Sequence, residues 1–245
     1  MIDETATAVL PPEVEDCPDH DAPDAPLGCR QVVASDVMYR LISSGEPCWI
    51  SDASGALRRL PIDRWIGGAG SSIEDRRADQ AILDLCTGST MDIGCGPGRF
   101  TAALADRGLH ALGVDVSATA VEMTVERGGT ALHQDVFAPL PGTGEWSHVL
   151  LADGNIGIGG DPYRLLRRAR RLLDPQGVVV AEVDARATGV TREYRRWETD
   201  HSVGRWFPWA HVGRDALGAM AEAAGFLLTD AVDFGERFVA VLQVV

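Results

Sequence analysis

The run Met91-Asp92-Ile93-Gly94-Cys95-Gly96-Pro97-Gly98-Arg99 constrains the fold of this chain more than any other stretch. An apolar strand carries an acid near its end, a turn follows with glycine at every second position, and helical sequence begins near Arg99. Glycine lets the backbone turn sharply and leaves bare peptide for a ligand to press against. The helix that follows turns its unpaired N–H groups toward the same place. About twenty residues on, a second strand, His110-Ala111-Leu112-Gly113-Val114-Asp115, closes on an acid placed to grip a ribose. Strand, bare turn, helix, strand and acid together predict a parallel α/β sheet with a nucleoside at the carboxyl ends of its strands.

Three readings of the turn follow from its residues alone. It is a tight strand–helix connection without a ligand, a dinucleotide site, or a site for another nucleoside. The dinucleotide fingerprint is Gly-x-Gly-x-x-Gly with a pyrophosphate on the helix N-terminus. Here the spacing is Gly94-x-Gly96-x-Gly98, and Asp92 stands two residues before the first glycine. A carboxylate there repels a pyrophosphate and suits an amino group. The run Asp-Ile-Gly-Cys-Gly-Pro-Gly resembles motif I of the class I S-adenosylmethionine-dependent methyltransferases, and Gly-Val-Asp-Val-Ser at 113–117 resembles their second motif.

The resemblance implies S-adenosylmethionine as cofactor and S-adenosylhomocysteine as product. It implies that the methionine moiety lies at Asp92, Gly94, Cys95, Gly96 and Gly98. It places the ribose on Asp115 and adenine against Val116. It implies that Asp135 accepts from the adenine amino group and that Val136 donates its backbone N–H to the ring. In the glycine-rich segment 153–161, Asp153 or Asn155 is expected to hold the methionine amine or orient a nucleophile. The chain lacks the Asn-Pro-Pro-Tyr or Asp-Pro-Pro-Tyr signature of enzymes that methylate nucleic-acid bases or peptide amides. The acceptor is therefore expected to be a small molecule, such as a natural product or a carboxylated metabolite. Two alternatives keep the cofactor: a non-methylating reaction such as intramolecular cyclisation, and binding without turnover.

Residues 1–28 are rich in proline, alanine and acids, with no basic side chain before Arg30. Such a segment buries too little to offset its ordering entropy and is expected to be disordered. Residues 29–88 read as an N-terminal cap. It holds a short helix within 36–44, a strand–turn–strand over 49–60, and a helix from Ile73 to Cys86 with Ile73, Ala81, Ile82 and Leu85 on its apolar face. From 89 onward strands are expected at 90–94, 110–115, 130–134, 147–152, 177–183, 226–233 and 237–244. Helices are expected at 99–107, 117–127, 162–173 and 214–224. The alternation predicts a Rossmann-like, doubly wound, seven-stranded sheet, mostly parallel. Only Phe234-Gly235-Glu236 separates the last two strands, so they must form an antiparallel hairpin. A plain dinucleotide fold has no such ending.

The insert 185–213 is too long for an ordinary loop and is the expected substrate side, helical around Thr191 to His201. Its Trp197, Trp206 and Trp209 can enclose an apolar acceptor, while Arg205, with Arg192, Arg195 and Arg196 nearby, can hold an anion. His201 and His211 are candidate general bases, with Asp153 a third candidate catalytic residue. His110, His133 and His148 lie in or beside strands and read as structural.

A net charge of −14 argues against a nucleic-acid substrate. The absence of lysine, all 22 basic residues being arginine, excludes a Schiff base or a P-loop lysine. The five cysteines fall at no metal-ligand spacing. No run of about 18 apolar residues predicts a membrane span, and no secretion signal is apparent, so a cytoplasmic location is expected.

Overall fold

The computed structural model describes residues 39–41, 45–67 and 70–245, together with the backbone of 31–33. The acidic segment 1–28 and most of the expected helix at 36–44 lie outside the described residues; 39–41 are helical. The N-terminal elements are β1 (Gln31–Val33), β2 (Trp49–Asp52), β3 (Leu57–Arg59), α1 (Ile62–Ile66) and α2 (Ile73–Leu85). Then come β4 (Thr90–Ile93), α3 (Arg99–Asp106), β5 (Ala111–Asp115), α4 (Ala118–Glu126), β6 (Ala131–His133), β7 (Trp146–Leu151), a 3₁₀ turn at Asn155–Gly157, α5 (Pro162–Leu172) and β8 (Leu173–Asp184). The chain closes with β9 (Val190–Glu198), β10 (Ser202–Gly204), β11 (Phe207–Val212), α6 (Arg214–Ala223), β12 (Phe226–Asp233) and β13 (Arg237–Val244).

Seven strands form the main sheet in the order β12-β13-β8-β7-β4-β5-β6. β13 runs antiparallel to both of its neighbours, and the other pairings are parallel. This is the predicted sheet with its terminal hairpin. The interior strand β4 is buried along its whole length, as a strand covered by helices on both faces requires. Local signals start the helices where expected. Ser72 accepts from the Asp75 N–H ahead of α2, Ser117 from Ala120 ahead of α4, and Asp161 from Arg164 with Pro162 at the first position of α5. On α2 the buried residues are Ala78 and Ile82; Ile73, expected on the apolar face, is 52% exposed in the first turn.

The second sheet has the order β1-β10-β9-β2-β3, with β11 also paired to β9. β9 replaces the helix expected around 191–201. Its six-residue register with β11, from Phe207 opposite Arg195 to Val212 opposite Val190, gives the segment a cross-strand partner that a helix would forgo. β2 pairs antiparallel with the other edge of β9, Ile50 opposite Trp197. The N-terminal cap and the insert thus share one six-stranded sheet, which we term the lid. Its own core holds Cys48, Ile50 and Leu60, with Tyr39, Trp65, Trp197 and Phe207 packed against them.

Candidate active site

The carboxyl ends of β4, β5, β7 and β8 and the inner face of the lid enclose a cavity of about 610 Å³. Asp92 enters it from β4. Its carboxylate is buried and accepts from the Thr101 hydroxyl at 2.7 Å. Burial pushes its pKa up to about 6, against the opposing pull of that hydrogen bond. The turn that follows has φ of +71° at Gly94, +52° at Gly96 and +79° at Gly98, a conformation that favours glycine at all three. Gly94 and Gly96 line the cavity, as does Cys95. A side chain on Gly94 would strike the Asn155 amide at 2.7 Å. Cys95 packs on β5, where a Cβ on Gly113 would meet its sulfur at 2.7 Å, so position 113 must stay bare. Gly98 does not reach the cavity. It sits against Thr124 of α4, where a Cβ would lie 2.7 Å from the Thr124 backbone, so this glycine serves helix packing.

Asp115 is buried at the tip of β5 and uses both oxygens. One accepts from the Gly96 N–H at 3.0 Å and the other from Ser117 at 2.9 Å. Burial raises its pKa. Val116, next to it, is 63% exposed on the cavity wall. Asp135 and Val136 follow β6 and line the same cavity; the Asp135 carboxylate accepts from Phe137 N–H at 2.9 Å. Asp92, Asp115 and Asp135, spread over three strand tips, therefore converge on one hollow with the bare turn.

Beyond β7, Asp153 has φ +52° and is clasped by arginines. Arg99 pairs with it directly and Arg64 of α1 approaches to 3.5 Å. Its N–H donates to Glu182 at 3.0 Å. One oxygen of the carboxylate expected to act on substrate thus belongs to a network, while the other, Oδ1, is buried without a hydrogen-bond partner among the described residues, and Asp153 lines the cavity. Arg99 also pairs with Asp79, and Arg237 of β13 binds Asp79 at 2.8 Å and both oxygens of buried Glu182 at 2.8 Å each. The Asn155 amide is likewise occupied, donating to the carbonyls of Ile93 and Gly94 at 2.9 and 3.0 Å. It braces the turn. The openness of the glycine-rich segment admits the lid more than a ligand. β11 runs so close that a Cβ on Gly157 would lie 1.9 Å from the Ala210 carbonyl oxygen, and one on Gly160 would lie 3.0 Å from Pro208.

On the lid, Arg195, Trp197, Phe207, Trp209 and His211 line the cavity from β9 and β11, with Arg205 and Trp206 at the loop between β10 and β11. His211 Nε2 lies 3.0 Å from Glu193, and Arg195 contacts both. Burial and the Arg195 charge keep the His211 pKa below its usual value. His201 is exposed in the turn after β9 and does not line the cavity. Arg192 donates to the Gly160 carbonyl and Arg196 to Glu198. Among the described residues, Arg205 is the one cavity-lining arginine without a carboxylate partner. Trp206 Nε1 is buried and unpartnered. His110 stacks on Trp146 at 5.0 Å, His133 bonds the Val116 carbonyl, and His148 is buried in β7, all away from the cavity.

The sequence reading missed Tyr39, Arg64, Trp65, Glu182 and Arg237, which also line the cavity. A charged residue inside the apolar run Val178-Val179-Val180-Ala181-Glu182-Val183 was the available signal, since a buried acid requires a partner. The tyrosine and the tryptophan carried none.

Residues 72–231 match the methyltransferase domain family. The chain belongs to that family, within the class I S-adenosylmethionine-dependent methyltransferases. No protein of curated function matches the sequence. Among solved structures, it is similar to an S-adenosylmethionine-dependent methyltransferase from Bacteroides fragilis in complex with S-adenosyl-L-homocysteine. The TM-score is 0.73 at 19% identity, covering 88% of this chain and 98% of that one. It is also similar to the CcbJ methyltransferase from Streptomyces caelestis, with TM-score 0.56, 21% identity, and 73% and 92% of the two chains covered. A third is the 1,6-didemethyltoxoflavin-N1-methyltransferase from Burkholderia thailandensis, with TM-score 0.52, 17% identity, and 94% and 99% covered.

Proposed function

We propose that this chain transfers a methyl group from S-adenosylmethionine to a small-molecule acceptor enclosed beneath the lid. The observation that carries the reading is the convergence of Asp92, Asp115 and Asp135 with the side-chain-free turn at Gly94 and Gly96 on one cavity. The donor set fits this cofactor: a buried acid for an ammonium, a second for ribose hydroxyls, a third for an exocyclic amine, and an exposed apolar side chain, Val116, for a base. Bound there, the cofactor supplies a methyl group already activated on a sulfonium.

The chain's own work is alignment and exclusion of water. Each Asp115 oxygen accepts one backbone N–H, from Gly96 or Ser117, and keeps a lone pair for a ribose hydroxyl. Asp135 accepts from the adenine amine, and Val136 offers its backbone N–H. Asp92 faces the ammonium. Asn155 braces the turn through the Ile93 and Gly94 carbonyls, and Asp153, paired with Arg99, keeps one oxygen free of hydrogen bonds from the described residues at the cavity wall. Trp197, Trp206 and Trp209 enclose the acceptor, and Arg205 with the Trp206 indole N–H holds its anionic group, which suits a carboxylated metabolite. His211, kept neutral near pH 7, is the residue placed to take a proton when the nucleophile must lose one. The net charge of −14 and the enclosing lid favour a small acceptor over a nucleic acid. The relative from Burkholderia, solved with bound 1,6-didemethyltoxoflavin and S-adenosylhomocysteine, supports a small-molecule acceptor.

Calorimetry with S-adenosylhomocysteine and with NAD tests the cofactor. The first is expected to bind and the second not. Asp115→Ala is expected to weaken S-adenosylhomocysteine by about 1–3 kcal/mol, the loss of hydrogen bonds to a charged acceptor. Unchanged affinity would remove Asp115 from the site.

A further inference from the structure

At Gly96 the glycine turn faces one side chain, that of Tyr39. Tyr39 belongs to the N-terminal segment, outside residues 72–231 that match the family. It lines the cavity, and its hydroxyl lies 3.5 Å from where a Cβ on Gly96 would stand. Its ring is fixed against Trp197, centroids 5.4 Å apart, and Trp197 in turn packs on Trp65 at 5.9 Å. Those contacts orient the ring, but among the described residues the hydroxyl has no hydrogen-bond partner.

We propose that Tyr39 is a cofactor-binding residue whose hydroxyl donates to the methionine carboxylate of the bound cofactor, closing the site above Gly96. The inference rests on the cofactor reading given above. Three observations carry it. The turn places bare peptide at Gly96 directly under the hydroxyl, so whatever occupies the turn meets the phenol. The carboxylate is the cofactor's one anion, and the cavity walls around Asp92, Asp115 and Asp153 are acidic, so it needs a donor. The cations beneath the turn face carboxylates of their own: Arg99 and Arg237 are held by Asp79, Asp153 and Glu182, and Arg64 lies 3.5 Å from Asp153. Arg205, the cavity arginine without a carboxylate partner among the described residues, stands on the lid loop between β10 and β11. A neutral phenol provides a donor without adding charge to this network. Burial, with Asp115, Cys95 and Asp153 nearby, pushes its pKa well up, so it keeps its proton.

The test compares two ligands by calorimetry on the full chain. S-adenosylhomocysteine carries the amino-acid tail, and 5′-methylthioadenosine lacks it. Tyr39→Phe keeps the ring and its contact with Trp197. It is expected to weaken S-adenosylhomocysteine on the order of tenfold or more, as for a bond to a charged acceptor, and to leave 5′-methylthioadenosine within about twofold of the parent. Unchanged affinity for S-adenosylhomocysteine overturns the proposal. So does an equal loss for both ligands, which would make the hydroxyl a prop for the lid. Asp115→Ala, expected to weaken both ligands through the ribose, keeps the two readings apart. If it weakens both while Tyr39→Phe changes neither, the cofactor reading stands and the Tyr39 contact falls.

Discussion

The two sheets of this molecule were built from different kinds of sequence. The seven-stranded sheet grows from βα units whose parts adjoin in the chain, each strand handing its tip to a turn and a helix. The lid joins β1, β2 and β3 to β9, β10 and β11, so that Ile50 pairs with Trp197 across most of the catalytic domain. The first sheet brings the acids that recur at strand tips. The second brings the aromatic wall and the histidine, with Tyr39 packed against its core. The strand-tip acids and the bare turn thus sit on the local architecture, and the acceptor wall that we propose sits on the spliced one.

This division can be broken by experiment. The largest effect is expected from Gly96→Val. A β-branched residue at φ +52° is strained and projects into the cavity toward Tyr39. Binding of S-adenosylhomocysteine should vanish while circular dichroism stays that of the parent; retained binding would mean that the turn does not touch the ligand. Next comes Arg237→Ala, which strands the buried Glu182 without its cation and leaves Asp79 to Arg99 alone. Removing one partner of a buried pair costs about 3–5 kcal/mol, read as a lower urea midpoint. A change below about 1 kcal/mol would show that the network beneath the site is not structural.

Gly157→Ala discriminates between the two sheets. Its new methyl meets the Ala210 carbonyl at 1.9 Å, so β11 must shift. We expect about 1–3 kcal/mol of destabilisation and faster amide exchange across 190–212, with exchange in β4 and β5 unaltered. Exchange that rises equally in both sheets would refute the separation.

The smallest effect is a pH dependence. Asp92 in the free protein has its pKa raised to about 6. Between its unfolded value and about 6 the folded state binds the extra proton, so Asp92 favours folding at low pH and that contribution is lost as pH rises through 6. Binding an ammonium requires the ionised form and runs the other way. Affinity for S-adenosylhomocysteine should fall by up to about tenfold per unit below pH 6 and be flat from 6.5 to 8. In Asp92→Asn the slope should disappear, and a slope that survives assigns it to another group.

Reading outward from particular residues shows where sequence carries this information and where it does not. Asp115 was legible because a strand that ends in an acid after a glycine turn has one place to put it. Gly98 was assigned to the ligand by its spacing, yet Thr124 claims the space, a neighbour that only the packing of α4 reveals. Asn155 and Asp153 stood in the right loop, but which polar group each meets depended on Ile93, Arg99 and Arg64 arriving from other elements. The segment 191–201 carries Arg-Glu-Tyr-Arg-Arg-Trp-Glu, which is compatible with either a helix or a strand, and β11 and β2 decided between them by pairing on both of its edges.

The order and type of the βα units, the bare turn and the acids at the strand tips were determined by the sequence itself. Propensity, capping and hydrophobic period act over a few residues and leave their mark locally. Only the tertiary structure decided that β2 and β9 would share a sheet, that Glu182 would find Arg237, and that Tyr39 would stand over Gly96. Alternation tells a strand which face to bury and never which distant strand to join, because that choice is made by contacts closed across the whole chain.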